Sequence, residues 1–371
     1  MLELNELQAN AESGTAPAPR QAVLDMKEYH PPLGSRDGLR LDFNENTLQC
    51  SPRVLEALRN ITAAELTRYP QREPLESLVA EHLQLDPAQV LLTNGVDEAI
   101  HVLCETYLDE ADEILFSVPT YSMYEVYASG AGARLKMIDA GKDFAFPFEQ
   151  MLEAITAKTK LIFIANPNSP TGSTASREQL IQIAKRAPHA AVLVDEAYFH
   201  FFGETVMDQV GRIPNLLVAR TFSKAYGLAG LRLGVLAAHA DSMHWLRRVI
   251  SPYSVNSLAL ACLRPALNDE IYLRWYVDQV LAARTEFAEA LDLLGVRYWS
   301  SKANFILVKI GAKHKEFVEA MRSSNVLVRD RSSDPGCGGC VRVTIGTREQ
   351  MADAIPVLKQ SLLEIGWTRD A

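Results

Sequence analysis

The chain has little of what marks a membrane-spanning, nucleic-acid-binding or disulfide-built protein. Its longest apolar runs, such as Lys160 to Ala165 and Ala190 to Val194, are strand-sized and far short of the roughly 20 residues that cross a bilayer. Basic charge is also short: 37 Lys and Arg stand against 46 Asp and Glu, for a formal net charge of -9 and a pI near 5.5. Nucleic acids and anionic membranes reward a basic face, so small metabolites are the expected partners. Cysteine is sparse and odd in number, at 50, 104, 262, 337 and 340, which fits a reducing compartment better than a disulfide framework. One pair, Cys337-Gly-Gly-Cys340, lacks the second pair or the histidines of a zinc site. It reads as a turn beside Asp334-Pro335-Gly336, with a redox or metal role as the alternative, and no metal centre is expected. Repeats and low-complexity blocks are missing. The opening MLELNELQANAESGTAPAPR has neither the basic start nor the apolar core of a secretory signal, so a cytoplasmic protein is expected.

What is present is enough for a large core. Of 371 residues, 48% are hydrophobic, a size and composition that suggest two domains. Between Gln89 and Ala238, short β-branched runs alternate with amphipathic helical patterns, the signature of a wound α/β sheet. Strands are expected near 89–94, 113–118, 133–138, 160–165, 191–195, 216–222 and 233–238. Ser176 and Gln179 form a capping box for a helix to Ala187. From Asn268 to Leu294 apolar residues keep helical spacing without glycine or proline, giving a long helix that links to a smaller α+β region. Strands near 304–309, 326–329 and 341–345 belong there, with a helix from Lys313 to Ser323 and another from Arg348 to Leu363 that contains Pro356. Ser51-Pro52 opens a short helix through Leu58. The expected division is an arm over 1–28, a large domain over 69–261, and a small domain from 29–68 plus 262–371.

The chemistry concentrates at strand ends. Thr221 to Gly234, TFSKAYGLAGLRLG, leaves one apolar run and returns in another. Lys224 at that mouth is poorly placed for a solvated charge and well placed for a Schiff base with an aldehyde cofactor. Ser223 and Arg232 supply partners for a phosphate dianion, so the stretch reads as an anchor for pyridoxal phosphate. A second phosphate contact is available at Asn94-Gly95-Val96-Asp97, where a strand turns into a helix with free N–H groups. Pro119-Thr120-Tyr121 lifts an aromatic face onto the sheet edge, where it can stack on a pyridine ring. Asn166 to Gly172 offers side-chain amides for a ring oxygen. Asp195 ends a buried apolar run and needs a cationic or donor partner. A pyridinium N–H serves, and so would a buried ion pair with Arg220. Tyr198, three residues on, can reach the ring oxygen.

These motifs, in order and spacing, resemble those of the pyridoxal-phosphate aminotransferases of class I/II, fold type I, over nearly the whole chain from Tyr29. The set is RYP at 68–70, NGVDEAI at 94–100, PTYSMY at 119–124, NPNSPTG at 166–172, VDEAYFHF at 194–201, SKAYGLAGLRLG at 223–234 and VRVTIGTREQ at 341–350. Within that family they are most similar to the histidinol-phosphate aminotransferases. The resemblance implies a mostly parallel seven-stranded sheet wrapped by helices plus a smaller α+β domain, as in aspartate aminotransferase. It implies that Lys224 carries the cofactor, that Asp195 pairs with the pyridine nitrogen, that Asn168 and Tyr198 bond the ring oxygen and that Tyr121 stacks. Gly95, Val96, Asp97, Ser223 and Arg232 would hold the phosphate, with Tyr69 reaching across a homodimer interface. For the substrate it implies Arg342 on the carboxylate, with Arg329 and Tyr29 at the distal phosphate and Asn46 beside them. Histidinol phosphate and 2-oxoglutarate are the implied pair. One segment departs from the pattern: Asn44 to Pro52 reads NENTLQCSP where relatives carry NENPYGPSP, and a loop with Leu48 and Cys50 suits an apolar side chain. An aromatic amino acid is therefore the alternative donor, and a decarboxylase or lyase on the same cofactor the alternative reaction.

Overall fold

The computed structural model describes residues 16–28 and 37–368. Two sheets organise them. The larger holds β2 (Val90–Thr93), β3 (Glu113–Val118), β4 (Arg134–Asp139), β5 (Thr159–Ala165), β6 (Ala191–Asp195), β7 (Leu216–Thr221) and β8 (Gly234–Ala237), in the order β2-β8-β7-β6-β5-β3-β4. All neighbours pair parallel except β8, which runs against both β2 and β7. The seven strands stand where the alternating runs put them.

The period of two along each strand explains why the sheet is covered on both faces. Leu161, Phe163, Leu193, Leu217 and Ala219 enter one apolar cluster with the helices Gly95–Tyr107, Met123–Ala131 and Ala240–Val249. Their neighbours Ile162, Ile164, Val192, Val194, Leu216 and Val218 enter another with Phe148–Ala154 and Arg177–Arg186. The capping box is present: the Ser176 side chain accepts from the Gln179 N–H, and Gln179 returns a bond to the Ser176 N–H.

The smaller sheet has the order β1-β11-β12-β10-β9, from β1 (Leu39–Leu41), β9 (Tyr298–Trp299), β10 (Phe305–Lys309), β11 (Val326–Asp330) and β12 (Cys340–Thr344). The strands β1 and β9 escaped sequence reading because two or three residues carry no period. Pairing makes them strands: Leu39, Arg40 and Leu41 lie parallel to Val326, Leu327 and Val328. One face of this sheet packs on the long helix Glu270–Leu294 and on Arg348–Glu364, which holds Pro356 in its interior. Val54 and Leu58, from the helix Pro52–Arg59, pack with Val90, Leu92 and Val235 of the large sheet. The part of the N-terminal arm that is described forms a short helix, Gln21–Leu24, and the Arg20 guanidinium donates to the Gly130 carbonyl.

Candidate active site

Six strands of the large sheet point the same way, so their C-terminal ends share one edge, and β8 starts from it. Loops leaving this edge are where ligands gather in wound sheets. A cavity of about 340 Å³ opens there, lined by Val96 and Asp97 after β2, Tyr121 after β3, Pro167 and Ser169 after β5, Asp195 and Tyr198 from β6, Ser223 and Lys224 after β7, and Arg232 before β8. Phe43 and Glu45, just past β1, complete the lining from the smaller sheet.

Lys224 Nζ donates to the Phe43 carbonyl at 3.2 Å and lies 5.8 Å from the centre of the Tyr198 ring. Asp195 is buried, and burial pushes its carboxyl up to about 6. The fully enclosed Tyr124 hydroxyl donates to its Oδ2 at 2.8 Å, and the Ala197 N–H to its Oδ1 at 3.0 Å. The ion pair with Arg220 does not form. Arg220 bonds Glu196 instead, at 2.8 Å, and spans the Phe199 ring at 3.6 Å. Asp195 is thus a desolvated carboxyl facing a cavity, and a ring N–H donating to it would stabilise its ionised form. Sequence reading missed Tyr124. Its signal was the spacing of three from Tyr121, which places both on the same side of a helical turn.

At the other end, Gly95 begins its helix with φ at +75°, and a Cβ there would stand 2.6 Å from Arg232 Nη2. Glycine is what lets the guanidinium approach the helix N-terminus. Arg232 bonds Asp97 Oδ2 at 2.9 Å, while the Tyr121 hydroxyl donates to Asp97 Oδ1 at 2.6 Å. Burial and Asp97 push the Tyr121 hydroxyl far above its usual range, so it stays a donor.

Asn168 is placed differently from the expectation. Its amide donates to the Pro119 carbonyl at 2.9 Å and Thr171 Oγ1 at 2.8 Å, and its oxygen accepts from Thr120 at 2.7 Å. With both N–H groups committed to holding the loop, it is Ser169 that lines the cavity. Asn46 is likewise a loop residue: it donates to the Ala225 carbonyl at 3.1 Å, and the adjacent Glu45 reaches the cavity. Tyr198 accepts from Asn44 at 2.9 Å. Leu48 is exposed and Cys50 packs beside Val54, so neither lines the cavity.

Arg342 is buried on β12. Its guanidinium donates to Ser169 Oγ at 3.0 Å and to the Asp42 carbonyl at 2.8 Å. Its Nε has no partner among the described residues. Burial, reinforced by Arg331 and Arg329, pulls it down to about 10. Arg329 stands opposite Arg342 in the β11–β12 register, 5.1 Å from the Phe43 ring. It lines a neighbouring cleft with Arg322, Lys315 and Arg331. Tyr69 lies outside the cavity, 77% exposed, stacked on Tyr253 at 4.4 Å. Tyr29 falls outside the described residues.

An amine, a buried carboxylate and an arginine at a helix N-terminus, spaced around one cavity, fit the aldehyde, ring nitrogen and phosphate of pyridoxal 5'-phosphate. Enzymes of amino-group chemistry are the class such a sheet edge defines. Residues 36–358 match the family described as aminotransferase class I and II, and the chain belongs to that family. It is an aminotransferase. The chain is 33% identical over 330 residues to a histidinol-phosphate aminotransferase of Thermoanaerobacter sp. (strain X514), covering 87% of this chain and 93% of that one. Two solved structures share the fold. One is the histidinol-phosphate aminotransferase of Sinorhizobium meliloti in complex with pyridoxal-5'-phosphate (TM-score 0.86, 22% identity, 95% of this chain, 100% of that one). The other is the L-threonine-O-3-phosphate decarboxylase of Porphyromonas gingivalis (TM-score 0.78, 22% identity, 88% of this chain, 99% of that one). Among the described residues no helix is long and apolar enough to cross a membrane, and no group of three or more metal-ligating side chains occurs.

Proposed function

We propose that the protein uses pyridoxal 5'-phosphate to move the amino group of histidinol phosphate onto 2-oxoglutarate, giving imidazole acetol phosphate and glutamate. The observation that carries this reading is the pair Arg329 and Arg342, opposite each other in register on one sheet beside the cavity. Two guanidinium groups at that spacing suit a phosphate dianion in one half-reaction and the carboxylates of an oxo acid in the other.

When bound, the cofactor supplies a ring that accepts the electron pair left by a departing Cα proton. The protein supplies the rest. Lys224 would hold the cofactor and, once free, its amine would serve as the general base and acid for the Cα proton. Asp195, held by Tyr124 and the Ala197 N–H, would pair with the ring nitrogen and keep it protonated. Tyr198 and Ser169, which line the cavity, would bond the ring oxygen, and Tyr121 would stack on the ring. Arg232, Ser223 and the helix start at Gly95, Val96 and Asp97 hold the phosphate. A homodimer completes the site, with Tyr69 meeting the partner's phosphate; its exposed stacking on Tyr253 supports a partner surface there. The domain division is a large unit over 69–261 and a small one from 29–68 plus 262–371. At its border stand the helices Pro52–Arg59 and Ser257–Leu267, whose apolar faces meet the large sheet.

The test is a half-reaction. Histidinol phosphate and phenylalanine are added separately to the yellow holoenzyme, and loss of its visible band is recorded against concentration. Histidinol phosphate is expected to react at concentrations at least about tenfold lower, because phenylalanine carries only a singly charged carboxylate and no phosphate dianion for Arg329 and Arg342. Preference for phenylalanine overturns the donor, and release of carbon dioxide from an amino acid overturns the transamination. The Lys224→Ala variant is expected to lose turnover by several orders of magnitude, on the scale seen when other covalent catalysts lose their nucleophile.

A further inference from the structure

The Cys337-Gly-Gly-Cys340 segment takes no part in the chemistry above. It forms the end of the loop from β11 to β12, the strands that carry Arg329 and Arg342. The Cys340 N–H donates to the Cys337 carbonyl at 2.8 Å, and the Cys337 N–H to the Asp334 carbonyl at 3.0 Å. A hydrogen-bonded four-residue turn keeps its outer Cα atoms within about 7 Å, close to the roughly 4.4–6.8 Å that a disulfide spans. Both side chains leave the turn toward one small cluster with Phe144 and Leu307, so they point the same way. The Cys340 thiol donates to the Gly338 carbonyl inside the turn, at 4.0 Å.

The two sulfurs are not equivalent. The positive charges of Lys309 and Arg297 favour the thiolate at Cys340, whereas burial and Asp334 disfavour it at Cys337. A thiolate-prone cysteine beside a protonated one is the arrangement that exchanges with disulfides. Both are buried, but Gly338 between them is exposed and has open space around it, so a local opening of the turn suffices for access.

We propose that Cys337 and Cys340 form a redox-active dithiol that low-molecular-weight disulfides oxidise, and that the oxidised protein binds its amino donor less tightly at Arg342. The second half of that statement rests on Arg342 being an anion site. In the reaction the Cys340 thiolate attacks one sulfur of R–S–S–R and expels RS⁻. The Cys337 sulfur then attacks Cys340 in the mixed disulfide, forming the internal S–S bond and expelling the second RS⁻. The two cysteine protons end on two molecules of RSH, and the small disulfide gains the two electrons that the protein pair loses.

The coupling to Arg342 is geometric. Residues two apart on a strand share a face, and Leu307, which packs against Cys340, lies opposite Arg342 in the register. Closing two thiols to a bond of about 2.05 Å draws Cys340 toward the turn, and small misplacements of a binding group cost affinity.

The experiment uses holoenzyme equilibrated with oxidised glutathione, then alkylated, digested with trypsin and weighed. The tryptic peptide 332–342 holds both cysteines. It is expected to become about 2 Da lighter and to resist alkylation, as an internal disulfide must. The donor KM is expected to rise about threefold or more with kcat nearly unchanged, the sign of lost uniform binding. Dithiothreitol should restore it. In Cys337→Ser, or in Cys340→Ala should the first variant fold poorly, glutathione should leave KM unchanged. Absence of the 337–340 disulfide, its formation without a change in KM, or a rise in KM that persists in both variants overturns the proposal. Arg342→Lys, assayed fully reduced, separates the two readings: if it leaves KM unchanged, the anion-site reading fails on its own.

Discussion

The residue on which the site turns energetically is Asp195. Burial raises its carboxyl from 3.8 to about 6, so the folded protein holds that proton more tightly than the unfolded chain does. Ionising it therefore costs stability as pH climbs from about 4 to about 6; the cost is absent below that window and complete above it. Asp195→Asn removes the charge and keeps one acceptor oxygen, for the Ala197 N–H, while its amide can donate to the Tyr124 hydroxyl. Freed of cofactor, the variant should melt above the wild type near pH 7, by up to roughly 3 kcal/mol, with the gap closing toward pH 4. Thermal denaturation across that range checks it. The same substitution should weaken cofactor binding at least about tenfold, the loss of one charge-assisted hydrogen bond.

At the scale of the element, the strand-to-helix turn at Gly95 forms one wall of the proposed phosphate site. The helix starts from a left-handed residue, and the absent Cβ leaves the room that Arg232 Nη2 occupies. Gly95→Ala should strain the turn and push the guanidinium aside. The expected result is a cofactor dissociation constant raised on the order of tenfold or more, with a smaller drop in melting temperature, about that of 1 kcal/mol. Equilibrium dialysis and thermal melts read the two effects separately. An unchanged dissociation constant would show that the turn does not serve the phosphate.

For the whole molecule, the cavity is closed by both sheets, since Phe43 and Glu45 face Lys224 from the segment that leaves β1. The proposed homodimer adds a third wall. Sedimentation should give twice the chain mass of 41.1 kDa. Tyr69→Ala should weaken cofactor binding several-fold, because an exposed aromatic that contributes to a partner's site acts only in the assembly. A monomeric mass with full cofactor affinity would remove the partner from the site.

What the sequence determined by itself is what local pattern can carry. Short β-branched apolar runs placed the seven strands of the large sheet, and the 3.6 period placed the helix Glu270–Leu294. Lys224, Asp195, Tyr121, Tyr198 and Arg232 were legible because each follows or ends an apolar run at the same sheet edge, and all line the cavity. Tertiary structure decided the rest. Which residue of Asn168-Ser169 faces the cavity depends on whether the Asn168 amide is already committed, to Pro119 and Thr171, and hydrogen bonds between loops leave no mark in spacing. The partners of Asp195 came from Tyr124, 71 positions away, and Arg220 was taken by its neighbour Glu196. The register that sets Arg329 against Arg342, and the turn that brings Cys337 to Cys340, arise from pairing of two strands. Local preference fixes what a segment becomes; only packing fixes which polar groups find each other, because each buried donor and acceptor must be satisfied by whatever the fold brings within reach.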